Sequence, residues 1–338
     1  MMATRGKIPR LRTSERTTFE RCRYLWYLNY VLRRRPNIDR PPLRFGSLIH
    51  AALAAYYVPG DRRGPHPART FKKLYQQDAD AAGEFGFRVD EDEVWADAAV
   101  LGPAMMENYI DHYGRDSDWQ VLVTEHPFSI RVRHDIPFIY TGVLDLVARH
   151  KPTNKLWMWD HKSTAGIERD PRWLLLDEQA GAYWTFGLEW LYRQGFLKRN
   201  QKLAGLMFNF LRKAPPDERP RNSAGLSLNQ DGSVSMKQPA PYFDRKMVFR
   251  DEDDRASVYD RVQRQWPQIH AAYQSAKTFG VDSDLIYKNA TKWTCQGCGM
   301  FDICEMHEMK KDWEELMEAT TQVWDPYAEH EIRGAEQR

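Results

Sequence analysis

Phe138-Ile-Tyr-Thr-Gly142-Val-Leu-Asp145-Leu-Val-Ala-Arg-His150 leads through Lys151-Pro-Thr-Asn154 into Lys155-Leu-Trp-Met-Trp-Asp160-His-Lys162. Both halves alternate like strands, over 138–149 and 156–163, with a polar turn between them. At a period of two, Val143, Asp145 and Val147 share one face and Leu144 and Leu146 the other. In the second strand Met158, Asp160 and Lys162 share a face, with Trp157, Trp159 and His161 opposite. A carboxylate set among apolar neighbours is costly to bury unpaired, so each aspartate needs a cation or strong donors. Two aspartates and a lysine on adjacent strands have a shared chemistry. Carboxylates hold Mg2+ or Mn2+, such an ion polarises a scissile phosphate and acidifies water, and the lysine stabilises developing charge.

Working outward, 121–125, 128–133, 203–211 and 247–249 also read as strands. Thr13 and Ser14 are N-cap candidates for a helix running to about Arg34, on which Phe19, Cys22, Trp26 and Tyr30 would face inward together. Further helices are expected over 45–57, 68–82, 93–113, 172–195 and 251–278. Residues 58–67 read as a loop and 212–240 as a loop or hairpin excursion. The tail after about Glu314 is polar and expected to be poorly ordered. The order predicts an α/β (α+β) chain with a mixed central sheet flanked by helices.

Three further features gather around the two aspartates. Gln179 and Tyr183 are four apart and share a helix face. Gln179 suits a phosphate, a water or Lys162, and Tyr183 a DNA backbone. His50, in Gly46-Ser-Leu-Ile-His50, is a candidate nitrogen ligand that Mn2+ accepts. Glu125, at the end of an apolar strand, is an additional candidate carboxylate.

Charge is uneven. Residues 1–44 hold twelve Arg or Lys against Glu15, Glu20 and Asp39, whereas the whole chain carries a net +2. Phe19, Tyr24, Trp26, Tyr27 and Tyr30 interleave with that charge, as on a base-stacking, phosphate-binding surface. Arg12, Arg16 and Arg23 are its candidate DNA contacts. No apolar run is long enough to span a membrane, and no secretory leader is read at the start of the chain, so a reducing cytoplasm is expected. There, clustered cysteines favour metal over disulfides. The four cysteines are Cys22 and, far downstream, Cys295, Cys298 and Cys304 in C-x2-C-x5-C spacing. One ligand apart and three together suits an iron–sulfur cluster better than the paired knuckles of zinc. Zinc and free thiols are the alternatives.

In this order these residues resemble the PD-(D/E)XK nuclease superfamily, and within it the RecB-type nucleases and the CRISPR-associated iron–sulfur exonucleases (Cas type four). The resemblance implies a restriction-endonuclease-like core with His50, Asp145, Asp160 and the His161 backbone carbonyl as metal ligands and Lys162 as the catalytic lysine. It implies a 4Fe–4S cluster on Cys22, Cys295, Cys298 and Cys304 that joins the N- and C-terminal segments. The expected function is a Mg2+- or Mn2+-dependent DNA exonuclease, with endonucleolytic cutting of single strands as a second mode. Its substrate would be single-stranded DNA or DNA with free ends, in recombination, repair, phage DNA processing or CRISPR adaptation, with partner proteins from those processes or a second copy of the chain. Asp160 stands where glutamate is common, and the extra length near 58–118 and 212–285 departs from compact members. The expected parts are a basic helical segment (1–57), a helical insertion (58–118), the nuclease core (119–211), a second insertion (212–285), the cysteine segment (286–312) and the tail (313–338). A non-catalytic DNA-binding scaffold of the same fold is the alternative. A redox protein gives no reason for Asp145, Asp160 and Lys162.

Overall fold

Alternating apolar side chains build the centre of the molecule. The computed structural model describes residues 8–38, 41–84, 93–167 and 171–328. In chain order it contains β1 (Arg10–Arg12), α1 (Thr13–Arg21), α2 (Arg23–Trp26) with a π-helical turn at Tyr27–Val31, β2 (Arg34–Pro36), α3 (Pro41–Tyr56), α4 (Pro67–Gly83) and α5 (Glu93–Tyr113). Then come β3 (Trp119–Val132), β4 (Phe138–His150), β5 (Lys155–Thr164), a 3-10 turn at Pro171–Leu176, α6 (Glu178–Ala182), a π-helical turn at Tyr183–Gly187, α7 (Leu188–Arg193), β6 (Leu203–Arg212) and β7 (Phe243–Val248). The chain closes with α8 (Glu252–Phe279), α9 (Lys292–Cys295), α10 (Phe301–Glu308), α11 (Trp313–Thr320) and β8 (Thr321–Val323).

Six strands form one mixed sheet in the order β1-β4-β5-β6-β7, with β3 on the far side of β4. β5 and β6 are parallel, so the chain must cross over between them, and α6 and α7 make that crossover. The two expected strands at 121–125 and 128–133 are one, continuous through Pro127. β3 lies at the sheet's edge, where a missing N–H breaks no ladder.

Each sheet face carries its own core. Leu156, Met158, Phe208 and Phe210 pack with Phe19, Trp26, Trp184 and Trp266 from α1, α2, α8 and the π-helical turn before α7. Trp157, Trp159 and Met207 pack with Ile49, Phe71 and Met106 from α3, α4 and α5. β5 keeps its expected alternation. β4 does not: Leu144 and Val147 enter the first core, whereas Leu146 and Ala148 enter the second. The alternation therefore switches at Asp145, and the expected common face of Val143, Asp145 and Val147 is corrected. Gly142 has a packing reason, because a Cβ there would stand 2.7 Å from the Phe128 ring.

The first helix is also corrected. It starts after Arg12, with no side-chain cap from Thr13 or Ser14, and breaks at Cys22, which is extended (φ −164°, ψ 115°). Tyr24 N–H bonds Tyr287 O at 3.0 Å, a tertiary partner in place of a helical one. The helix expected over 172–195 begins at Glu178, because Asp177 accepts from Ala180 N–H and caps it there. The segment from 313 is not a loose tail as far as Ala328. Asp312 caps α11, β8 pairs with β2, and Trp324 Nε1 donates to Asn29 O at 3.1 Å. Residues 329–338 lie outside the described residues.

That C-terminal segment reaches a buried acid. Glu15 is fully buried and accepts from Trp26 Nε1 at 3.1 Å and from the Tyr327 hydroxyl. Burial pushes it up to about 7, against the opposing pull of those donors and Arg12. The folded state thus binds a proton more tightly than the unfolded one. Glu15's contribution is complete below about pH 4.5 and is lost as pH rises through about 7. Glu15→Gln is expected to stabilise the protein by about 3 kcal/mol at pH 8 and by little at pH 5, read from urea denaturation at the two pH values. An equal effect at both would show that Glu15 stays ionised.

Candidate active site

β4 and β5 are paired from His150↔Lys155 to Leu146↔Trp159 and part beyond that point. Asp145 and Asp160 are the first residues past the last pair. Asp145 Oδ2 accepts from the backbone N–H of His161 across the fork at 2.9 Å. From α3, His50 Nδ1 lies 3.3 Å from the same oxygen and 3.8 Å from Glu125 Oε1. Glu125 lies between the pairs Thr124↔Leu146 and His126↔Leu144, opposite Asp145, and its φ is +38°. A left-handed residue inside a strand costs on the order of 1–3 kcal/mol, and such strain gathers at functional sites. It is thus not the end of a strand, as the sequence suggested. The ligand atoms of His50, Glu125 and Asp145 lie within 4.8 Å of one another.

Asp160 and Lys162 occupy the other side of the fork. Lys162 Nζ lies 2.7 Å from Asp160 Oδ2 and donates to Gln179 Oε1 at 3.1 Å. Gln179 Nε2 donates to the Tyr183 hydroxyl at 2.6 Å. The four-residue spacing on the helix therefore delivers one relay, Tyr183–Gln179–Lys162–Asp160. It crosses the α6 to π-helical junction, and π turns recur at functional sites.

Burial dominates the electrostatics. It pushes Asp160 up to about 7 despite Lys162, with Asp145 adding to the rise. It raises Asp145 too, although His50 pulls the other way. Burial alone would depress the His50 imidazolium, but Asp145 and Glu125 outweigh it and push it up to about 9. Burial works against the Lys162 ammonium as well, and Asp160 and then Asp177 hold it charged. Asp160 Oδ1 and Glu125 Oε1 are buried without a hydrogen-bond donor. Carboxylates strained in this way are relieved by a cation. The donor set, a histidine nitrogen and carboxylate oxygens, fits a hard divalent ion, Mn2+ included.

The predicted DNA contacts fare differently. Arg16 is buried and bonds Gln265, Tyr140 and Glu178, so it ties α1 to α6 instead of facing a phosphate. Tyr183 is buried as well. Arg12 donates to Pro326 O. The Arg23 guanidinium lies 4.4 Å over Phe19 and 4.8 Å over Tyr287. Phe19, Tyr24, Trp26, Tyr27 and Tyr30 are all core residues, so the inward stripe expected of Phe19, Trp26 and Tyr30 holds and the five rings do not form a base-stacking surface.

Cys22, Cys295, Cys298 and Cys304 line one cleft with apolar walls that include Leu25, Leu28 and Met300, and none forms a disulfide. Burial pushes the Cys304 thiol up to about 11 although Lys288 opposes it, and the other three thiols add to the rise. The sulfurs stand around the cleft and are not gathered at a point. Among the described residues, His50, Glu125 and Asp145 are the group that brings three such ligand atoms within 4.8 Å. His161 faces away from the fork, where its ring meets Asn209 at 2.9 Å. Sequence reading missed Asn209. Its signal was a lone amide inside the apolar run Leu206-Met-Phe-Asn209-Phe-Leu211.

A model of the PD-(D/E)XK nuclease superfamily matches residues 11–305, and the chain belongs to that superfamily of metal-dependent nucleases. No curated protein matches the chain. No helix among the described residues is long and apolar enough to cross a membrane.

Proposed function

We propose that this chain is a Mg2+- or Mn2+-dependent DNA exonuclease whose terminal segments are stapled by a 4Fe–4S cluster. The convergence of His50, Glu125 and Asp145 beside the Asp160–Lys162 pair carries the proposal. These residues, with Asp160 and the His161 carbonyl, would hold the ion. When bound, the ion supplies Lewis-acid activation of a phosphodiester and of water.

The chain's own residues do the rest. Lys162 Nζ, held charged by Asp160 and aimed by Gln179, offers a fixed positive group to charge developing on phosphate oxygens. Tyr183 positions Gln179 and does not grip DNA. Cys22, Cys295, Cys298 and Cys304 line one cleft with apolar walls, which supports a shared thiolate site, and its reading as a 4Fe–4S cluster rests on the resemblance and on the one-plus-three spacing. Preference for free ends or single strands, and a place in recombination, repair, phage DNA processing or CRISPR adaptation, rest on the RecB-like resemblance.

The test is cleavage of end-labelled linear and circular DNA, single- and double-stranded, by anaerobically purified protein with Mn2+. Linear DNA is expected to be degraded from its ends while circular duplex survives, with all cleavage abolished by EDTA. Circular duplex cut as fast as linear would remove end dependence. Intact DNA throughout would favour a binding scaffold with the same fold.

A further inference from the structure

On the face of the sheet opposite Lys162, a row of polar side chains crosses an aromatic core. His161, Asn209 and Arg245 are register neighbours on β5, β6 and β7. Asn209 is fully buried. Its Nδ2 meets His161 Nδ1 at 2.9 Å and donates to the Tyr109 hydroxyl at 3.1 Å. Its Oδ1 accepts from Arg245 Nε at 3.3 Å. Arg245 Nη1 donates to Asp116 Oδ1 at 2.8 Å, and its guanidinium lies 3.5 Å over the Tyr113 ring.

Such a row is expensive as a stability device, because buried ion pairs break even at best against apolar residues of the same size. Its shape suggests another use. Asp116 and Tyr109 anchor one end. The other end is His161, which bonds Asp145 through its backbone N–H and sets its ring 5.9 Å from that of His50 at 80°. Two of the candidate metal ligands thus rest on one residue, Asp145 on its backbone N–H and His50 against its ring, and Asn209 fixes that ring. Donation from Asn209 Nδ2 also places the neutral imidazole's proton on Nε2.

We propose that Asn209, braced by Arg245 and Asp116, is a positioning residue that sets the geometry of Asp145 and His50 through His161. The residues before β3 then complete the metal site from behind, because Tyr109 and Asp116 come from α5 and the turn that follows it. Partners in this position, one bond removed from the ligands, typically change metal affinity or activity by about 10–100-fold. The proposal rests on the metal-site reading above, and the experiment separates the two.

Mn2+ affinity of the full chain is measured by titration, reading the spin-resonance signal of free Mn2+, for wild type, Asn209→Leu, Asp116→Asn and Asp145→Asn, with circular dichroism melts alongside. Asn209→Leu keeps the branching at Cγ, adds some volume, and removes the bonds of Asn209 to His161, Tyr109 and Arg245. It is expected to bind Mn2+ roughly 10–100-fold more weakly in the folded state. Asp116→Asn keeps the packing, loosens Arg245 and weakens binding in the same direction, so it decides the matter if Asn209→Leu does not fold. Folded variants that match wild type, whatever their melting temperatures, overturn the positioning role alone. Wild type that binds no Mn2+, or Asp145→Asn that binds it equally well, overturns the metal site and the proposal with it.

Discussion

Asp145→Asn is expected to lower DNA cleavage by about 10^3-fold or more while leaving the melting temperature unchanged or raised. Losing a charged ligand from the fork removes the ion's contribution to the transition state, several kcal/mol by itself, and about 4 kcal/mol already corresponds to a thousandfold. Stability moves the other way. Asp145 is buried and its carboxylate is held above its usual range by burial, with Glu125 adding to the rise. An amide of the same shape removes that charge and still offers an oxygen to His161 N–H. A structural carboxylate behaves differently: removing one partner of a buried pair costs roughly 3–5 kcal/mol. Single-turnover cleavage and thermal melts on the same preparation separate the two cases. Retained cleavage, or a fall in stability in step with the fall in rate, would remove Asp145 from the chemistry.

The opposite directions of those effects explain how much of the site was legible in the sequence. A carboxylate inside an apolar strand is a local contradiction, and local contradictions are visible in one dimension. Asp145 was singled out that way, Asp160 and Lys162 by their shared face on the adjacent strand, and Gln179 with Tyr183 by helical spacing. The strands around them followed from alternation. What alternation could not show is its own failure at Asp145, where Leu144 and Val147 share a core and where Glu125 on the neighbouring strand turns left-handed. Tertiary substitutions were hidden as well. Tyr24 takes a carbonyl from Tyr287, so an otherwise unbroken helical stripe snaps at Cys22. Arg16 and the N-terminal aromatics look like a nucleic-acid surface by composition. Only the partners Glu178 and Gln265 make Arg16 a core residue, whereas the inward stripe of Phe19, Trp26 and Tyr30 was legible in their helical spacing. Asp116, Asn209 and Arg245 share no sequence neighbourhood, and their row exists only once β5, β6 and β7 are side by side.

The break at Cys22 leads to the second large effect. Cys22→Ser and Cys298→Ser are each expected to yield colourless protein that has lost its iron and sulfide and melts well below wild type. A group bound only by the folded state stabilises it by RT ln(1 + [L]/Kd), about 4 kcal/mol at a thousand times Kd, and that contribution vanishes with the ligand set. The loss should be local in origin. α1 and α2 also hold the C-terminal segment through Asn289 Nδ2 to Arg21 O at 3.0 Å and Arg21 to Thr294 O, and β2 pairs with β8. Lys288 lines the same cleft, donating to Cys304 O at 3.2 Å and to Glu308. The fork at Asp145 lies in the sheet, away from these ties. A variant that still folds at low temperature should therefore keep its Mn2+ site while hydrogen exchange rises first in α9 and α10. Four irons and four sulfides per wild-type chain, absent from both variants, would establish the cluster. One zinc per chain with no colour would put a tetrahedral thiolate site there instead. A Cys22→Ser protein with its full metal content would detach the N-terminal segment from the staple and leave the extended backbone at Cys22 to be explained by the Tyr24–Tyr287 bond alone.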